Sequence, residues 1–199
     1  MPNTARIIFS SAILCGLMTL QAGATDAVRL RALRKNANGG VSRTVVTAAK
    51  GPEGGTGVKE RSVSTNGQGS ATRTVKSDYK GPDGGTASRT STGSASSTGA
   101  AHQGAISATG PNGGTLNRQG STSVSNGAVS HQGSLSGTGP NGATVTSSGG
   151  ATNGTATRSS QVTGAKGDSY SGTTSVTKGS GVKHTGTCKN ASGEVIPCK

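Results

Sequence analysis

From about residue 40 to the end of the chain, short runs in which Val or Ala alternates with Thr, Ser or Arg are cut at regular intervals by turn residues. SRTVVTAA, KERSVST, ATRTVKSD, STSVS, TVTSS and SYSGTTSVT are such runs. Their period of two sends successive side chains to opposite faces of a strand. The alternation is imperfect, and Ser and Gly in mid-run weaken it. The punctuation is more regular. Gly-Pro-x-Gly recurs at Gly51-Pro52, Gly81-Pro82, Gly110-Pro111 and Gly139-Pro140, with Gly164-Ala165-Lys166-Gly167 as a weaker fifth. Proline presets φ for the second position of a turn, and Glu53, Asp83, Asn112 and Asn141 suit the third. The closing glycine accepts positive φ, which gives a type I turn followed by a left-handed residue, a common hairpin connection. Between these fall Asn66-Gly67, Asn126-Gly127 and Asn153-Gly154, the strongest short hairpin signal, with Thr98-Gly99 and Ser180-Gly181 in equivalent places.

Two turn types alternating in this way divide the chain into about six copies of a unit of ~26–30 residues. The expected fold class is all-β. It is either a repetitive antiparallel strand-turn-strand array of about ten or eleven strands or a β-solenoid with one coil per copy. Strands of ~8–10 residues would each span ~30 Å. The organisation reads as a signal peptide over 1–24, a basic N-terminal segment over 25–39, the repeat region over 40–187 and a C-terminal cap over 188–199. The basic segment, TDAVRLRALRKNAN and its neighbours, reads as a linker or frayed terminus. Its alternative is a short helix ended by Asn38-Gly39-Gly40.

Composition sharpens this picture. There are 35 Gly, no Trp and two Tyr, Tyr79 and Tyr170. Bulky aliphatics are scarce in the repeats, so no large core is expected and order must come from backbone hydrogen bonds and thin, repeated packing. At the N-terminus, Arg6, the apolar run from Ile7 to Leu20 and Ala22-Gly23-Ala24 have the layout of a secretory signal, with the mature chain starting at Thr25. A lipid anchor on Cys15 is disfavoured because Leu14 stands where a small residue is needed. No later stretch is long and apolar enough to span a bilayer. The expected location is secreted, periplasmic or at the cell surface. With Cys15 removed, Cys188 and Cys198 remain and are expected to form a disulfide closing CKNASGEVIPC.

The formal net charge is +13. Such an excess of cation favours polyanionic partners: acidic polysaccharide, lipopolysaccharide or extracellular DNA, bound without sequence specificity. The charge is patterned. One repeat position carries Arg43, Arg73, His102, His131, Arg158 and His184, which takes in all three histidines. Arg61, Arg89 and Arg118 occupy related places on the other strand. Because the histidines alternate with Arg and no acid or cysteine recurs beside them, they read as a basic row rather than as metal ligands or catalysts. The seven acids, Asp26, Glu53, Glu60, Asp78, Asp83, Asp168 and Glu194, form no acid/base pair, and several sit in turns. No nucleophile motif or phosphate loop is present. The expectation is therefore no enzyme, no metal and no cofactor. Threonine rows of the kind used to bind ice are disfavoured, since Thr spacing along the chain is irregular and Arg interrupts it.

A signal peptide followed by Gly-rich strand-turn-strand copies, few aromatics and no enzyme motif resembles the architecture of curli-type fibre subunits and other bacterial secreted β-repeat proteins. The spaced Ser, Gln, Gly and Asn of the curli consensus are not matched; within the repeats Gln occurs in only some copies, at 68, 103, 119, 132 and 161. The resemblance implies a matrix or functional-amyloid fibre subunit capable of self-association. The residues themselves favour a non-enzymatic surface protein that binds anionic polymers through many weak contacts. A mostly disordered basic chain is the remaining alternative.

Overall fold

The computed structural model describes residues 26–37 and 39–198. The signal-peptide reading of 1–24 lies outside them. The described chain forms thirteen strands. They are β1 (Asp26–Lys35), β2 (Val41–Lys50), β3 (Thr56–Thr65), β4 (Ala71–Lys80), β5 (Thr86–Ser96), β6 (Gly99–Thr109), β7 (Thr115–Ser125), β8 (Ala128–Thr138), β9 (Thr144–Thr152), β10 (Thr155–Thr163), β11 (Ser169–Thr177), β12 (Gly181–Lys189) and β13 (Val195–Ile196). All belong to one open sheet in which spatial order follows sequence order and neighbouring strands are antiparallel. Of the two arrangements expected, the chain therefore adopts the strand-turn-strand array and not the solenoid. The turns explain this choice, because each is too tight to do anything but return the chain beside the strand it has just left.

After every even-numbered strand the connection has one form. In the Gly51 copy, Gly54 N–H donates to the Gly51 carbonyl at 3.1 Å, and Gly51 N–H donates to the Gly55 carbonyl at 2.7 Å. Gly54 has φ 90. The same pair of bonds recurs at Gly81, Gly110, Gly139, Gly164 and Asn190. The C-terminal copy thus keeps the turn although Asn190 replaces the Gly-Pro signature. The opposite end is less uniform. Asn126 and Asn153 adopt φ 47 and 50 ahead of Gly127 and Gly154, as two-residue hairpins of the primed kind require. Asn66 instead opens a wider loop, and its Oδ1 accepts from the backbone N–H of Gln68 and Ser70.

Residues 26–35 correct the linker-or-helix reading of the basic segment. They form β1, paired with β2 along its full length from Asp26 opposite Lys50 to Lys35 opposite Val41. Asn36, Gly39 and Gly40 make the same two turn hydrogen bonds as the Gly-Pro loops, so Gly39-Gly40 closes a hairpin rather than ending a helix. The available edge of β2 decides the outcome, because pairing satisfies a row of backbone donors and acceptors that an isolated short helix could not match. With β1 and the stub β13 added, thirteen strands replace the ten or eleven expected. Cys188 and Cys198 are joined, with their Cα atoms 5.3 Å apart, and this ties the tail to β12.

A single layer has little interior. Among the described residues, Val75 is the one buried hydrophobic side chain, at 7% exposure. Cohesion comes from the ladders, the turns and cross-strand side-chain pairs. Both faces of the sheet are open, so what the protein presents is decided by which residues each face receives.

Candidate functional site

The register sorts the chain into two chemically different faces. Starting from Arg43, alternate residues of each strand share its face. Every arginine and histidine from β2 to β12 falls there: Arg43, Arg61, Arg73, Arg89, Arg118 and Arg158, with His102, His131 and His184. All nine are exposed. The strand carboxylates Glu60 and Asp78 lie on the other face, opposite Lys76 and Ser88, while Glu53, Asp83, Asp168 and Glu194 lie in or beside turns. This basic face therefore has no carboxylate on β2–β12 to neutralise it.

Within it the side chains form stripes running across the strands. Arg43 and Arg73 flank Val63, Gly93 lies between Arg73 and His102, and Thr122 lies between His102 and His131. Four members of the expected basic row are thus collinear, on every second strand and ~10 Å apart. Arg158 and His184 do not join them. They stand two residues further along their strands, in the stripe that contains Gly133, Gly149 and Thr174. The cause is strand length: β9 to β12 have nine residues where β5 to β8 have eleven, so the same turn-relative position meets a different partner. A second cationic stripe holds Lys59, Arg89 and Arg118 on odd-numbered strands, separated by Ser77 and Ile106.

Between the two cationic stripes runs a bare strip. Gly104, Gly120, Gly133 and Gly149 are consecutive cross-strand partners. A Cβ added at Gly104 or Gly133 would come no closer than 3.4 Å or 3.6 Å to a neighbour. Crowding therefore does not demand glycine at those two positions, and its effect is to leave backbone uncovered. The histidine rings lean over this strip. Nε2 of His102 and His131 lies 3.8 Å and 3.6 Å from where Cβ atoms of Gly104 and Gly133 would be. The His-Gln-Gly triplets at 102–104 and 131–133 thus encode a local packing unit. Nδ1 of His131 lies 2.8 Å from the Thr122 hydroxyl, and Nδ1 of His184 lies 2.8 Å from that of Thr174. Nε2 of His184 also meets the Tyr170 hydroxyl. No group of three His, Cys, Asp or Glu side chains among the described residues is placed to hold a metal. Outermost on this face is an apolar stripe beside the Gly-Pro turns, with Tyr79, Ala87, Ala108, Leu116, Val145 and Val162 along it.

The opposite face is a field of hydroxyls and amides, and from β5 to β11 its strands carry no charge. Thr86, Thr109, Thr115, Thr138, Thr144 and Thr163 form an unbroken ladder on six adjacent strands. The sequence reading missed it because the intervals along the chain alternate between long and short. The arginines that appeared to interrupt the threonines lie on the other side. Two shallow grooves of about 670 and 680 Å³ cross this hydroxyl face and share Ser134, Ser148 and Ser159.

No family model, curated protein or solved structure matches the chain. Among the described residues no helix is long and apolar enough to cross a membrane.

Proposed function

We propose that this is an exported, non-enzymatic surface protein whose basic face binds polyanions by many weak, additive charge contacts. The single observation that carries the reading is the segregation of charge: every arginine and histidine from β2 to β12 shares one face, and no strand carboxylate joins them. The two cationic stripes are offset by one strand. A linear polyanion laid across the strands along the glycine strip would meet Arg43, Arg73, His102 and His131 on one side and Lys59, Arg89 and Arg118 on the other, in alternation. Neighbouring sites on a rigid sheet act at high effective concentration, so modest single contacts accumulate. The apolar stripe at the margin suits a partner with apolar as well as anionic parts, as lipopolysaccharide has. Arginine also suits sulfate and phosphate groups through its planar fork of donors.

Titration with a sulfated polysaccharide and with duplex DNA across a salt series tests this. Affinity should fall linearly on a log–log plot, and a triple substitution Arg73→Glu, Arg89→Glu, Arg118→Glu should abolish binding at moderate salt. Salt-independent binding, or an intact triple variant, would remove the reading.

A fibre subunit is the second reading, drawn from the sheet's two open edges. β1 offers a ten-residue edge, and β12 is paired on its outer side only at Cys188 and Lys189. Both edges are cationic, through Arg29, Arg31, Arg34 and Lys35 on one and Lys183 and Lys189 on the other. Charged edges are a common protection against edge-to-edge pairing, which ranks the fibre second.

A further inference from the structure

The densest charge on the basic face lies at its N-terminal end, where register builds a small block from three strands. Thr47 of β2 has Arg29 of β1 on one side and Lys59 of β3 on the other. Two residues along, Val45 lies between Arg31 and Arg61, and two further, Arg43 lies beside Val63. The block encloses a hollow of about 270 Å³ walled by Arg29, Arg43, Lys59 and Arg61, with Val45, Val63 and Thr47 completing its lining.

We propose that this hollow is a discrete site for a ligand carrying two closely spaced phosphate groups. The inference rests on the reading of the basic face as a polyanion surface and names a particular place and chemistry within it. Arg29 and Lys59 stand two strands apart, ~10 Å at the backbone, so their long side chains converge on one oxyanion above Thr47, whose hydroxyl can donate as well. A second phosphate placed toward the other end of β2 meets Arg43 and Arg61. Four cations around one hollow match a diphosphate better than a single carboxylate, because each guanidinium offers two parallel donors to a tetrahedral oxyanion. Val45 and Val63 exclude water from one wall, which strengthens the charge contacts.

Calorimetric titration of the full chain with pyrophosphate, and separately with inorganic phosphate, tests the site. Pyrophosphate should bind one to one and more tightly than phosphate. K59Q/R61Q should weaken it about tenfold, equivalent to about 1.4 kcal/mol. K76Q/K80Q removes the same charge from the hydroxyl face and should leave it nearly unchanged. R89Q/R118Q removes the same charge from the basic face outside the hollow; if it costs as much as K59Q/R61Q, or if pyrophosphate binds no tighter than phosphate, there is no such site. A parallel titration with sulfated polysaccharide separates the two levels. If the native chain binds the polysaccharide but shows no preference for pyrophosphate, the hollow alone is overturned; if it binds neither, the basic-face reading is overturned as well. Circular dichroism confirms that each variant keeps its sheet. Phosphatidylcholine vesicles with and without a diphosphorylated glycolipid identify the source of the phosphates: selective retention on the glycolipid vesicles points to a membrane headgroup, and tight pyrophosphate binding without retention points to a soluble ligand.

Discussion

The phenol oxygen of Tyr170 lies 3.1 Å from Nε2 of His184, and its ring covers Gly172 and Gly186, the cross-strand glycine pair between them. A bulky ring over bare backbone replaces the packing that two glycines cannot supply, so this contact holds β11 to β12 where side chains are scarcest. Tyr170 is half-buried, so replacing it by Ala should destabilise the C-terminal hairpin by ~1–2 kcal/mol, part of the range for fully burying a large side chain, and by more than Tyr170→Phe. Tyr170→Phe should lose only the hydrogen bond, ~0.5–1.5 kcal/mol. Hydrogen exchange resolved by strand checks this, and equal effects of the two variants would contradict it.

The left-handed turn glycines give a second expectation. Gly113 has φ 82, and nothing lies within 4 Å of a Cβ placed there. Gly113→Ala should therefore cost ~1–2 kcal/mol from backbone conformation alone. Gly110→Ala, whose added Cβ would make only an ordinary 3.7 Å contact, should cost clearly less. Urea titration of both variants decides the point; equal costs would mean the turn is not of this type.

Salt dependence gives a third. If the cations of the two stripes contact phosphates of duplex DNA directly, neutralising Arg73, Arg89 and Arg118 should reduce the log–log salt slope by ~2–3. Substituting Thr90, Thr146 and Thr157 on the hydroxyl face by Ala should leave the slope unchanged. A slope insensitive to the arginines would place the contact elsewhere.

The edges give a fourth. Arg29→Thr with Arg31→Thr removes two charges from β1 without breaking its pairing with β2. That variant should associate at concentrations where the native chain sediments as a monomer, because charge no longer guards the exposed ladder groups. A variant that remains monomeric would show that another feature blocks the edge.

Reducing the disulfide gives a fifth. Cys188 and Cys198 are ten residues apart and hold a two-residue strand that has little pairing of its own. Opening so short a loop should cost ~2–3 kcal/mol, felt by the tail alone. Limited proteolysis after reduction should clip beyond Lys189 and spare β1–β11.

The elements that repeat were legible in the sequence, because Gly51-Pro52 and its copies state a turn geometry locally. Two-sidedness was not. Whether Arg43 and Arg89 share a face depends on counting through every intervening turn, and one unexpected residue in a loop reverses the answer. The four collinear members of the basic row, Arg43, Arg73, His102 and His131, keep a constant eight-residue offset from their turn glycines. Arg158 has an offset of six to Gly164, and that change is the two-residue displacement seen on the sheet. The signal was present but reads as repeat decay until strand pairing is known. β1 was obscured because a run such as Val28-Arg29-Leu30-Arg31 satisfies a strand pattern and a helical one equally well, and only the neighbouring β2 edge separates them.

The strict order of the strands, each bonded only to its chain neighbours, has a mechanical consequence. The first and last strands, β1 and β13, lie on opposite edges of the sheet, so tension applied between them loads the outermost strands first and opens their hydrogen bonds one after another, like a zip, instead of shearing a whole ladder at once. Each released hairpin would lengthen the chain and leave the remaining sheet intact. Stretched between two attachment points, such a molecule yields in small reversible steps and keeps presenting whatever stripes have not yet been peeled away.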